Sequence, residues 1–119
     1  MIITIDDIPP SNNQFIGKGQ QANWRRYQDE KKKWNLLVRS ALNRSGYPAE
    51  PLERAYVEIT YIFPDSRRRD PDNYAGKMLL DPLVEHGVIK DDSFDVVRLS
   101  LHASVKPGIR RTTIEVIAR

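Results

Sequence analysis

Apolar and polar residues alternate from Ala55 to Phe63, with Ala55, Val57, Ile59, Tyr61 and Phe63 on one side and Tyr56, Glu58, Thr60 and Ile62 on the other. A period of two sends successive side chains to opposite faces, so this segment predicts a strand with one buried face. The same period returns from Phe94 to Val105, where Val97, Leu99, Leu101, Ala103 and Val105 face one way, and again from Thr112 to Ala118. Ile2–Ile5 predicts a short strand, and Pro9-Pro10-Ser11-Asn12-Asn13 after it reads as a loop. From about Trp24 to Arg44 the period changes: Trp24, Tyr27, Trp34, Val38, Ala41 and Leu42 recur at helical spacing, and Gly46 and Pro48 end the run. Arg25, Arg26, Lys32 and Lys33 form its wet basic face. A second helix is expected from near Asn73 to about His86, stopped by Gly87, with a kink or break at Pro82, which lacks an N–H.

The order is strand, helix, strand, helix, strand, strand. Lys106-Pro107-Gly108 separates the last two as a turn, which predicts a C-terminal antiparallel hairpin. Helices connecting the earlier strands predict an α+β fold, a mixed sheet with two main helices packed on it. With 119 residues and no linker or repeat, residues 1–119 are expected to form a single domain.

Composition narrows the class. Hydrophobic residues make up 39%, enough for a core and too many for a disordered chain. Runs such as Met78-Leu79-Leu80 fall far short of a membrane span, and Asp6-Asp7 interrupts the start before any leader-like apolar stretch. Cysteine is absent, which excludes disulfides, thiolate metal sites and a cysteine nucleophile. A cytoplasmic location is expected. The net charge is only +3, but the basic residues cluster at Lys31-Lys32-Lys33, Arg67-Arg68-Arg69 and Arg110-Arg111, and clustering matters more than total charge for binding a polyanion.

The densest chemistry lies between Arg67 and Asp92. Arg67-Arg68-Arg69 runs directly into Asp70-Pro71-Asp72-Asn73, then come Lys77, Asp81 and the pair Asp91-Asp92. Pro71 biases Asp70 toward an extended backbone, where side chains at i and i+2 share a side, so Asp70 and Asp72 are expected to aim at one point. Asp72 or Asn73 would cap the following helix. Converging carboxylates repel unless a cation lies between them, and oxygen donors with open water positions suit Mg²⁺ or Mn²⁺. From the residues alone a plainer reading also stands: Asp-Pro-Asp-Asn makes a good turn and cap without metal, and Asp91-Asp92-Ser93 a loop before a strand. The calcium-loop pattern is excluded, because Ala75 stands where its glycine belongs. His86 and His102 read as structural, and no serine has a nucleophile-elbow context. Asp81, four residues after Lys77, reads as its helical partner.

Taken together, the arginine run, Asp70-Pro71-Asp72-Asn73, Lys77, Asp81 with Leu83, and Asp91-Asp92 before a strand resemble the RusA family of Holliday junction resolvases. Pro9-Pro10-Ser11-Asn12-Asn13 is similar to that family's N-terminal signature, so the resemblance covers nearly the whole chain. It implies a homodimeric, Mg²⁺-dependent endonuclease that resolves four-way junction DNA by paired symmetric nicks in recombination and repair, and a prophage origin fits the family's small size and spread. By motif match, Asp70, Asp72 and Asp92 would be catalytic metal ligands, with Asp91 as second choice, Lys77 the catalytic lysine, and Arg67, Arg68 and Arg69 the holders of backbone phosphates. One departure stands out: the family places two residues between the asparagine and the lysine, whereas Tyr74, Ala75 and Gly76 make three here. The alternatives are a nuclease of other branched or duplex DNA and a non-catalytic DNA-binding module.

Overall fold

A computed structural model describes residues 1–15 and 20–119, with side chains in the first helix described from residue 23 onward. Its elements are Ile2–Ile5 (β1), Gln20–Ser45 (α1), Ala55–Phe63 (β2), Lys77–Glu85 (α2), Val97–Val105 (β3) and Arg111–Ala118 (β4), with short 3₁₀ turns at Asn12–Phe15 and Pro71–Tyr74. The strands form one mixed sheet in the order β1-β4-β2-β3, and the two helices pack on it, giving the expected α+β architecture. Among the described residues no helix is long and apolar enough to cross a membrane.

The alternation in β2 is realised in full. Ala55, Val57, Ile59, Tyr61 and Phe63 are all buried, the inner row of a central strand. β3 runs parallel beside it, Ala55 opposite Val97 through Phe63 opposite Val105. Parallel neighbours require a crossover, and α2 supplies it. β4 pairs antiparallel with β2 on its other side, and β1 pairs antiparallel with β4. Trp34, Val38 and Leu42 of α1 and Leu79 and Leu83 of α2 close the core over Ile3, Ile59 and Ile114.

Several expectations are corrected. The last two strands do run antiparallel to each other, but they are not bonded as a hairpin, because β2 lies between them. Their connection straddles the end of β2: Lys106 N–H donates to the Phe63 carbonyl (2.9 Å) and Gly108 N–H to that of Pro64 (3.4 Å). A strand whose whole inner row is apolar gains most from a neighbour on each side, and alternation by itself does not say which strands those are. Trp24, placed on the apolar stripe of α1, is 64% exposed; contacts at that end go to the Asn12–Phe15 turn, where Tyr27 meets Phe15 edge-on at 5.3 Å. The second helix begins at Lys77 rather than Asn73, and it continues through Pro82 without a break.

Candidate functional site

The loop between β2 and α2 is built by its own side chains. Pro64 ends β2, and Asp65 then accepts from the Arg67 backbone N–H (3.1 Å) and from Arg69 Nη2 (2.8 Å). Arg69 Nη1 also donates to the carbonyls of Asp65 (2.9 Å) and Arg67 (3.1 Å), and its guanidinium lies 4.2 Å from the Phe63 ring centroid. Its side chain is 14% exposed, so Arg69, expected with its two neighbours to hold phosphate, is a bracket that folds the turn. Arg67 and Arg68 are 80% and 88% exposed and remain available to an anion. The Arg67 N–H, followed by Arg69, holds the Asp65 carboxyl down at about 2.

Pro71 has the expected effect on Asp70, whose backbone is extended (φ −103°, ψ 136°). Asp72 departs from expectation. It lies inside the Pro71–Tyr74 3₁₀ turn, which Asn73 N–H closes on the Asp70 carbonyl (3.0 Å), so the extended backbone on which the shared side was expected ends at Asp70. Neither Asp72 nor Asn73 caps α2; that position is taken by Gly76, at φ 92°. The Asp70 carboxylate receives Arg68 Nε at 3.3 Å, and Asp72 is exposed, with Asn12 Nδ2 donating to its carbonyl at 3.3 Å. That last bond ties the Pro9–Asn13 segment to the acidic turn. The turn is seated from below by Tyr61, whose hydroxyl donates to the Tyr74 carbonyl (2.8 Å) and whose buried phenol is pushed well above the ordinary tyrosine range by desolvation.

Lys77 opens α2 and binds Asp81 across one turn, Nζ to Oδ1 3.0 Å; Lys31 approaches the other Asp81 oxygen at 3.8 Å. The Asp81 bond raises the Lys77 pKa against a smaller desolvation effect, and the charges of Asp81 and then Asp92 add to the rise. Asp92 is therefore near enough to act on Lys77, while both Asp91 and Asp92 are exposed. Asp92 lines a groove beside Leu80, Ser93, Phe94, Val97 and Leu99. The three expected metal ligands do not form one ligand set within a single chain: among the described residues no group of three His, Cys, Asp or Glu is placed to hold a metal ion. Each histidine contacts a neighbouring polar side chain. His86 Nε2 lies 3.0 Å from Asn35 Oδ1, and His102 pairs with Glu58 on the neighbouring strand at 3.2 Å.

A second groove, of about 310 Å³, runs beside the acidic turn. Arg67, Arg68, Arg69 and Arg110 line it together with Pro9, Pro10 and Gln14; Asp65 pairs with Arg67 and Arg69, Asp70 with Arg68, and Asp7 with Arg110 at 3.7 Å. Arg110 was visible in the sequence only as part of a basic pair. Its placement depends on the connection that carries β4 past the end of β2. Asp65 escaped notice too, although an Asp two residues before a loop N–H is a known turn-forming arrangement. No family model matches the chain, and no curated protein matches it.

Proposed function

We propose that the protein is a structure-specific DNA endonuclease that depends on Mg²⁺ or Mn²⁺ and cuts four-way junctions as a homodimer. The observation that carries this reading is the arginine groove: Arg67, Arg68 and Arg110 line it together, each with half or more of its side chain exposed and, among the described residues, a single ion pair (to Asp65, Asp70 and Asp7), directly beside the turn that bears Asp70 and Asp72. Such a groove suits the phosphate backbone, which supplies most of the affinity for DNA and makes it dependent on salt. Lys77 is held protonated, so its part is that of a cation that neutralises phosphate charge rather than of a base. Oxygen donors such as Asp70, Asp72 and Asp92 belong to the hard-cation class. A homodimer fits the substrate, because a four-way junction is roughly two-fold symmetric and two matching nicks need two matching sites.

A second reading is a DNA-binding module without catalysis. It is favoured by the dispersal of the three carboxylates in one chain and by the pairing of Asp70 with Arg68. Incubation of a synthetic four-way junction and a matched linear duplex, each with Mg²⁺ or EDTA, separates the two. The nuclease reading expects paired nicks in the junction alone, lost with EDTA and with Asp72→Asn while binding is kept. Binding without cutting in every arm would establish the module, and equal cutting of both substrates would assign a nuclease of other DNA.

A further inference from the structure

We propose that β3 is the surface on which two copies of the chain join, edge to edge, about a two-fold axis that passes near Leu101 perpendicular to the sheet. β3 is an outer strand of the order β1-β4-β2-β3, so one of its hydrogen-bonding sides faces no strand. It is nine residues long and contains no proline, and natural edges of that kind are ordinarily shortened, charged or covered. Its apolar row lies on the helix side, in register with the buried row of β2, yet the helices stop short of it: Val97 is buried, while Leu99 and Val105 are 39% and 49% exposed.

The occupant follows from self-complementarity. An axis perpendicular to the sheet makes the two β3 strands antiparallel and keeps both apolar rows on one side, whereas an axis along the strands would put them on opposite faces. Centred on Leu101, the register sets Leu99 against Ala103 and Val97 against Val105. On the other face Arg98 meets Ser104 and Ser100 meets His102, so no like charges are opposed. The ends agree as well. Asp91, Asp92 and Asp95 precede β3, and Lys106 and Arg110 follow it, so antiparallel joining lays each copy's acidic end beside the other's basic end. Phe94, fully exposed at the acidic end, gains the partner's apolar row as a neighbour. The contact is an isologous one that unites two four-stranded sheets.

This deepens the homodimer in the proposed function and rests on that part of it. The chain has no cysteine, so Leu101→Cys introduces a lone thiol. Directly opposed residues of an antiparallel pair lie about 4.5–5.5 Å apart at Cα, within disulfide reach. Under mild oxidation Leu101→Cys is expected to form a covalent dimer, and Arg39→Cys on the exposed face of α1 is expected not to. Sedimentation of the unmodified chain should show a dimer, and Leu101→Arg, folded by circular dichroism, a monomer. A sedimenting dimer that does not link at Leu101 overturns the β3 interface and leaves the dimer standing. A monomer at every concentration overturns both. Linking at Leu101 in a chain that cuts no junction supports the interface and rejects the nuclease.

Discussion

Lys77 at the start of α2 is tied to Asp81 one helical turn later, Nζ to Oδ1 3.0 Å, and Asp81 also receives Lys31 at 3.8 Å. Because the Asp81 bond raises the Lys77 pKa, the contribution of the pair is complete below the ordinary lysine value of about 10.4 and is lost only as pH climbs through the raised one. Lys77 thus stays a cation across any working pH. Asp81→Asn is expected to lower the Lys77 pKa, which NMR of ¹³C-methylated lysines reads directly. With Lys77 65% exposed, the cost in stability should be only about 0.3 kcal/mol. An unmoved Lys77 resonance would reject the pairing.

The three arginines should separate in experiment. Arg69 is enclosed and holds two carbonyls, a carboxylate and an aromatic face, so Arg69→Ala is expected to cost about 1.5–3 kcal/mol in urea unfolding. Arg67→Ala and Arg68→Ala touch exposed side chains and should stay within about 0.5 kcal/mol of the parent. Their effect belongs to binding: each should weaken DNA affinity and flatten the dependence of log affinity on log salt by roughly 0.9. The same ranking in both assays would mean that the arginine run acts as one patch, against the geometry.

Gly76 makes the late start of α2 feasible. Its φ of 92° is a left-handed conformation that strains other residues, and a Cβ there would lie 2.7 Å from Ile59 Cδ1 in the core. Gly76→Ala therefore meets backbone strain and overlap together. A loss of about 2–3 kcal/mol is expected in denaturant unfolding, with Lys77 displaced from its place at the head of the helix. Retained stability would mean that the turn has a second conformation open to it.

These residues show what could be read in advance and what could not. β2 and α1 were legible because burial imposes a period, and the period survives in the sequence as Val57, Ile59 and Tyr61 or Trp34, Val38 and Leu42. The neighbours of β2 were not legible, since β3 and β4 alternate equally well and strand order is decided by packing over the whole sheet. The Asp70–Lys77 stretch read as a helix beginning near Asn73 because Asp-Pro-Asp-Asn carries start signals. The glycine three residues on, which the sequence offered as a residue that could ease a later start, reset that start by adopting a positive φ. Arg110 and Asn12 reached the acidic turn through contacts about 40 and 60 residues away along the chain, for which local pattern has no signal.

Asp65 offers a direct reading of whether the arginine turn is formed in solution. Its carboxyl is held at about 2 against an ordinary 3.8, chiefly by the Arg67 backbone N–H and next by Arg69. A depressed carboxylate contributes stability above its unfolded pKa and loses it as pH falls through the folded one, so the turn should hold across neutral pH and loosen between about 3.8 and about 2. In a ¹³C-detected pH titration the Asp65 carboxyl should move near pH 2. In Arg69→Ala its midpoint should rise but remain below 3.8, because the Arg67 N–H, the larger cause, is still in place. A midpoint already at 3.8 in the unaltered protein would mean that Asp65 does not organise the loop and that Arg69 is as free as its two neighbours.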